Sequence, residues 1–317
     1  MTSKVSSVRS LRNALAITAI GMAAAWLSGE ARAQAESPVT KINAEAATSE
    51  ITVQRLRGNV SAVMGSGGNI TVLTNDAGKL IVDTGIALSR AKLSAALDSI
   101  GKTPPRYAVN THWHWDHTSG NEWVHQAGAT IIAHENTLKH LSTTTRVNEW
   151  QYTFDPSPEG ALPTLIVNTE LVIKFGDETV LVQSYPPAHT DGDLHVYFTK
   201  ADVLATGDTY WNGIYPFIDK GVGGGIDGMI SAANLNIARA TDKTIVVPGH
   251  GPVSDRAGLI AYRDMLVAIR NNVAALKQQG KSLDETIAAK PSAAYDAKWG
   301  GFVINPALFT RLVYNSL

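Results

Sequence analysis

Thr111-His112-Trp113-His114-Trp115-Asp116-His117 sets three imidazoles and a carboxylate within six consecutive positions, His112 to His117. Packing does not explain that density. Each buried imidazole needs a hydrogen-bond partner, and crowded rings repel one another once charged. A divalent metal removes both penalties, because neutral imidazole nitrogens and an ionised carboxylate are its preferred N/O ligands. The stretch is therefore the candidate metal and active site.

Working outward, Tyr107–Asn110 is an apolar strand feeding into the cluster. Gly120–Gln126 has the pattern of a helix, and Thr130–Ala133 that of another strand. This β-turn-α grammar puts the cluster in a loop leaving the carboxyl end of a strand, the usual ligand position in α/β sheets. Upstream, Ile51–Arg57, Val60–Gly65, Asn69–Leu73 and Lys79–Val82 are strand-like, with turns at Arg57-Gly58-Asn59, at glycines 65, 67 and 68, and at Asn75-Asp76-Ala77-Gly78. Leu88–Ile100 carries apolar residues at spacings of three and four, a helix closed by Gly101. Downstream, Leu171–Phe175, Thr179–Tyr185, Leu194–Phe198, Val203–Ala205 and Thr244–Val247 repeat the strand pattern, with helices over Asp227–Arg239 and from a Ser254 cap to Gln279. Strands clustered in each half and followed by helices predict an α/β protein: two sheets packed together with helices outside, an αββα sandwich forming a single domain.

The chain has 317 residues, 44% of them apolar, and a formal net charge of −1. That composition supports a sizeable core and carries no nucleic-acid footprint. Lys4, Arg9 and Arg12, the apolar run Ala14–Leu27 and the small residues of Ala31-Arg32-Ala33 form a secretory signal peptide over 1–33, with cleavage after Ala33 or Ala35. Periplasmic or secreted localisation is the expectation, with no membrane association after cleavage. The chain has no cysteine, which excludes a lipoprotein anchor, disulfides and thiolate metal ligands. Residues 34–49 are a polar lead, 50–280 the catalytic domain, and 281–317 an extension folded back on it as short helices. Thr143–Pro163 is irregular and aromatic, either a surface loop packed on the core or a flap over the pocket.

Three more residues end strand signals: His189 in Ala188-His189-Thr190, Asp208 in Thr206-Gly207-Asp208, and His250 in Pro248-Gly249-His250-Gly251. With Val82-Asp83-Thr84-Gly85 and Thr111–His117, these motifs make the chain resemble the metallo-β-lactamase superfamily of hydrolases over roughly residues 50–280. The resemblance implies that fold and two zinc ions per chain, with iron the less favoured metal. His112, His114 and His189 would hold the first ion, Asp116, His117 and His250 the second, and Asp208 would bridge both. It further implies a metal-activated hydroxide as nucleophile, with Asp116 orienting it and relaying a proton. Tyr210 is a candidate hydrogen-bond donor to the oxyanion, or equally a core or wall tyrosine. Asp83 either orients a ligand loop or simply forms a turn. Trp113 and Trp115 line the pocket or pack beneath it. Glycines 221, 223, 224 and 225 suggest a mobile loop. His125, His134, His140 and His195 are structural or surface residues.

Fold and metal set leave the substrate open. Relatives that open β-lactams often carry a lysine three residues past the bridging position, where this chain has Trp211; Lys220 is the substitute candidate. The leading expectation is a hydrolase of a β-lactam-like amide or related cyclic ester, acting on a small molecule. The alternatives are a thioesterase or lactonase of the glyoxalase II or acyl-homoserine lactonase type, a mononuclear iron persulfide dioxygenase, and a non-catalytic metal-dependent binding protein. Oligomeric state is not legible.

Overall fold

Side chains alternate faces along a strand, so each strand here has to satisfy two environments. The strands are β1 (Thr52–Arg55), β2 (Val60–Met64), β3 (Ile70–Asn75), β4 (Gly78–Val82), β5 (Pro105–Val109), β6 (Thr130–Ala133), β7 (Thr145–Val147), β8 (Tyr152–Phe154), β9 (Leu165–Ile166), β10 (Glu170–Phe175), β11 (Glu178–Ser184), β12 (Leu194–Phe198), β13 (Val203–Ala205) and β14 (Ile245–Val247). In β2, Val60 and Ala62 enter one apolar cluster while Val63 enters another. Leu80 and Val82 face the first cluster and Ile81 the second, and Val109 and Ala108 divide the same way. The first cluster also takes Phe175, Val180, Val182, Val196, Phe198 and Val203 from the second half of the chain. It is the seam between two sheets. The second cluster lies under the helix Arg90–Ile100, which contributes Leu93, Ala96, Leu97 and Ile100 at helical spacing.

The computed structural model describes residues 1–2 and 37–317, so the signal-peptide stretch, Met1 and Thr2 apart, and the first residues of the lead lie outside the described residues. The first sheet runs β1-β2-β3-β4-β5-β6-β9 and the second β10-β11-β12-β13-β14, with β7 and β8 a separate hairpin. Pairing is antiparallel from β1 to β4 and parallel from β4 through β9; in the second sheet only β13–β14 is parallel. Helices Ile226–Arg239 and Arg256–Gln278 cover the other side, the latter burying Leu259, Tyr262, Met265, Leu266, Ile269 and Val273 along one face. The αββα sandwich is as expected, and residues 37–317 form one compact unit.

Three local readings change. Within the polar lead, Pro38–Thr48 is a helix that buries Val39, Ile42 and Ala46, with Ser37 as its cap and Pro38 at the first position. Asp255, not Ser254, caps the long helix, its carboxylate accepting the Gly258 N–H; Ser254 is held by backbone hydrogen bonds in both directions with Val246. The glycine loop around 221–225 is a packed turn, with the Gly224 N–H on Asp219 O and the Gly225 N–H on Ala188 O. The extension 281–317 forms three helices, Leu283–Ala288, Ala293–Trp299 and Pro306–Ser316, and the last buries Phe309, Leu312 and Val313 in the helical core.

Candidate metal centre

Strand ends deliver the ligand loops to one edge of the sandwich. β5 stops at Val109, and the chain crosses to the short helix Trp115–Thr118, which carries Asp116 and His117. The crossing is held by Asp83 at the end of β4. Its carboxylate accepts the Thr111 N–H at 2.7 Å, the Thr111 hydroxyl at 2.8 Å and His117 Nδ1–H at 2.8 Å. Asp83 therefore positions a ligand, in the first of its two sequence readings. His189 follows β11, with Asp193 accepting the backbone N–H groups of His189 and Thr190. Asp208 lies in a tight turn after β13, and His250 follows β14. Gly249 is required there, because a Cβ would sit on the Asp208 carboxylate. Gly68 is required likewise, because its Cβ would sit on the His117 ring.

All seven predicted ligands converge. His112, His114, His189 and Asp208 form one group, and Asp116, His117 and His250 a second, all of them buried. Asp208 Oδ2 lies 3.7 Å from His112 Nε2, 3.4 Å from His189 Nε2 and 3.4 Å from His250 Nε2, while Oδ1 lies 3.1 Å from His117 Nε2. It thus touches both groups. Asp116 Oδ2 is 3.3 Å from His250 Nε2 and 3.6 Å from His117 Nε2.

Partners outside the cage decide which nitrogen of each ring points inward. His117 donates Nδ1–H to Asp83, His189 donates Nδ1–H to Phe217 O at 2.8 Å, and His114 donates Nε2–H to Asp219 at 3.0 Å. The Thr111 hydroxyl gives its proton to Asp83 and so accepts from His112 Nδ1 at 3.1 Å. Three unprotonated nitrogens, on His112, His114 and His189, are left facing the centre, with His117 Nε2 beside them. Two of them, His189 Nε2 and His114 Nδ1, stand 2.9 Å apart, while His112 Nε2 and Asp208 Oδ1 are buried with no hydrogen bond. Converging lone pairs and orphaned buried atoms are what a bound cation relieves, and the all N/O donor set suits divalent metals.

The protein's own charges agree. Burial, reinforced by neighbouring imidazoles, pushes His112 and His114 well below the ordinary imidazole range, keeping them neutral. Burial opposes the charge on Asp208, but the surrounding imidazoles, His250 foremost, hold it well below the usual carboxylate range. His250 is raised to about 9 and His117 well above its ordinary value, the nearby carboxylates outweighing burial. Metal would replace those protons.

Tyr210 needs correction as a candidate oxyanion donor. The turn Gly207–Thr209 sends its ring away from the cavity, fully buried, with its hydroxyl 2.8 Å from Ser254 Oγ and its ring edge-on to Tyr262. Burial raises that phenol to about 12. Lys220 is exposed and does not line the cavity. Trp113 is buried beneath the loop, whereas Trp115 lines the cavity and donates to Asn43 of the N-terminal helix at 3.0 Å. The 143–163 segment contributes the hairpin β7–β8 and Trp150, whose ring lies 4.9 Å from His114 and 4.4 Å from Phe217. Its aromatics both pack on the core and wall the site. Sequence reasoning missed Asn69, which donates to Pro248 O and Gly251 O and so ties the β2–β3 turn to the His250 loop. It also missed Asp193 and Asp219. The four other histidines stay outside the cage: His134 caps a helix, His125 meets Ala129 O, His140 pairs with Asp191, and His195 is buried beside Tyr185.

A cavity of about 640 Å³ opens over Asp116, Asp208, His114 and His250. Trp115, Trp150, Trp211 and Ile214 line it, joined by Ile42 and Phe302 from the flanking segments.

A sequence model of the metallo-beta-lactamase superfamily matches residues 63–250, and the chain belongs to that superfamily. Solved structures of similar fold include a metallo-beta-lactamase from Pontibacter korlensis, 19% identical with a TM-score of 0.56, covering 69% of this chain and 99% of that one. The sec-alkylsulfatase Pisa1 from Pseudomonas sp. is 16% identical with a TM-score of 0.61, covering 86% of this chain but 51% of its own, so the chain spans about half the sulfatase. The BLEG-1 B3 metallo-beta-lactamase is 21% identical with a TM-score of 0.55, covering 68% and 99%. These likenesses attest the fold. No curated protein matches the chain in sequence.

Proposed function

We propose that the chain is a dizinc hydrolase that opens a β-lactam-like amide or a related cyclic ester, acting on a small molecule outside the cytoplasm. The observation that carries this reading is the convergence of seven ligand residues, with inward lone pairs and two orphaned buried atoms, at the floor of one apolar-walled cavity. Zinc is the metal proposed because the donors are imidazole and carboxylate alone. Two such ions, held by these seven residues, would lower the pKa of a water and draw charge from a carbonyl oxygen.

The chain's residues do the rest. Asp116 faces the cavity and orients the attacking water, accepting its proton on the carboxylate. Trp115, Trp150 and Trp211 exclude bulk water and press an apolar substrate towards the floor. Asp83, Asp219 and Phe217 O fix the ligand rings, so no reorganisation is needed at the moment of reaction.

Metal-loaded protein should be assayed with a penicillin and its uncharged methyl ester, a carbapenem, a lactone, a thioester and a secondary alkyl sulfate. Turnover of a lactam or lactone, lost by orders of magnitude in Asp116→Ala, is the expected result. Turnover of the thioester or the sulfate alone would refute the substrate class. One iron per chain with oxygen consumption would refute the hydrolase. Sequencing the N-terminus of protein recovered outside the cytoplasm tests export.

A further inference from the structure

We infer that the cavity selects uncharged or cationic substrates with an apolar body and rejects anionic ones. For the reaction itself this rests on the hydrolase reading above, of which it keeps the lactone and the uncharged lactam ester and sets aside lactams that carry a free carboxylate; the selection rests on the walls alone. Among the described residues, no lysine or arginine lines the cavity. Two glutamates do: Glu45 on the N-terminal helix and Glu50 just beyond it, both exposed at the mouth. Neither carboxylate has an ion pair or side-chain hydrogen bond among the described residues. Lys92 meets the same turn of chain, but its ammonium is engaged by Ala47 O and Ser49 O.

An anionic group entering this space loses hydration without gaining a counter-charge, and passes two like charges on the way in. Among the described residues that line the cavity, its cationic neighbours are the imidazoles at the floor and whatever ion they hold, which is where the reacting carbonyl must sit; Lys92 stands outside the lining. Binding at the floor would block the reaction. A cationic group gains at the rim from Glu45 and Glu50, and from the faces of Trp115, Trp150 and Trp211 farther in. An uncharged apolar body gains from burial against the tryptophans, Ile42 and Phe302. The selecting residues Ile42, Glu45, Glu50 and Phe302 all lie outside the stretch 63–250 matched by the superfamily. Selection is therefore a property of this chain's flanks.

The test uses metal-loaded protein and three 4-nitrophenyl esters of matched acyl length: the pentanoate, the glutarate half-ester and the trimethylammonio-pentanoate. The expected kcat/KM for the anionic ester is at least about tenfold below the neutral one, with the cationic ester equal to or above it. The double substitution Glu45→Lys with Glu50→Lys should raise the anionic-to-neutral ratio about tenfold, and Glu45→Gln with Glu50→Gln about threefold. A second readout is independent of turnover: quenching of tryptophan fluorescence by 4-phenylbutanol and by 4-phenylbutyl-trimethylammonium. The cation should bind at least as tightly as the alcohol, and the lysine variant should reverse that order. An anionic ester turned over as well as the neutral one, or ratios unmoved by the lysine variant, overturns the selection while leaving the hydrolase intact. If no ester turns over but the fluorescence order holds and reverses, the hydrolase reading fails and the selection stands.

Discussion

Asp83→Asn isolates what an outer partner does for this metal centre. Asp83 sits at φ +65°, a conformation that Asn tolerates nearly as well as Asp, so the exchange changes chemistry rather than backbone. The amide oxygen still accepts the Thr111 N–H, 2.7 Å away in the parent. The amide nitrogen then occupies the place of Oδ2, which now accepts both the Thr111 hydroxyl and His117 Nδ1–H. Thr111 can rotate its hydroxyl and accept instead. His117 cannot, because two N–H groups would face each other, and relief requires moving its proton to Nε2. That atom lies 3.1 Å from Asp208 Oδ1 and 3.3 Å from His250 Nε2, so the proton blocks the position a metal would take. Loss of such a partner typically costs 10–100-fold in metal affinity, about 1.4–2.7 kcal/mol. The loss should fall on the second equivalent of zinc, because His112, His114 and His189 keep their own outer partners. Competition with a chromogenic chelator reads the two affinities, and circular dichroism checks that the fold persists. If Asp83→Asn binds both equivalents within twofold of the parent, the tautomer argument is wrong.

His195 is buried, and desolvation followed by the charge of Arg239 lowers its pKa to about 4. Above pH 6.5 it is neutral folded or unfolded and has no effect. As pH falls towards 4 the unfolded chain takes the proton first, so stability drops by up to about 3 kcal/mol. Urea melts at pH 7 and pH 4 should show His195→Gln losing less than the parent by about that amount. Gly249→Ala should abolish two-metal binding, since the new methyl group occupies the space of the Asp208 carboxylate; metal content after dialysis measures it. Asp255→Ala removes the cap of the longest helix among the described residues and should cost about 1 kcal/mol, seen as a Tm lower by about 2–4 °C.

The ligands were legible because strand ends and donor residues coincide in the sequence, and each motif names its own loop. Strands were legible for a similar reason: the unbroken buried runs of β2 and β4 report two buried faces directly. The N-terminal helix escaped, although Ser37-Pro38 is a cap with proline at the first position and Val39, Ile42 and Ala46 follow at helical spacing. Polar residues between them obscured a pattern that was present. Asp193 and Asp219 carried no local signal, because their roles depend on folding that brings Asp219 to His114 across more than a hundred residues. Tyr210 failed for the opposite reason. Nearness to Asp208 in sequence says nothing of direction once a tight turn intervenes. Ser254 and Asp255 are both good caps, and only the pairing of Ser254 with Val246 decides between them.

The outer partners also explain why this centre belongs to the assembled sandwich rather than to its conspicuous motif. His112 and His117 answer to Thr111 and Asp83 in the first half of the chain, whereas His114 answers to Asp219 and His189 to Phe217 in the second. Asp208, at the end of a second-sheet strand, is the one carboxylate among the described residues within 4 Å of imidazoles in both groups. A peptide holding only His112 to His117 has the donors but not their tautomers or the carboxylate between them. Metal affinity should therefore rise with the docking of the two sheets, and whatever loosens their shared core, to which Val82, Val182 and Val203 belong, should weaken metal binding before it melts either sheet.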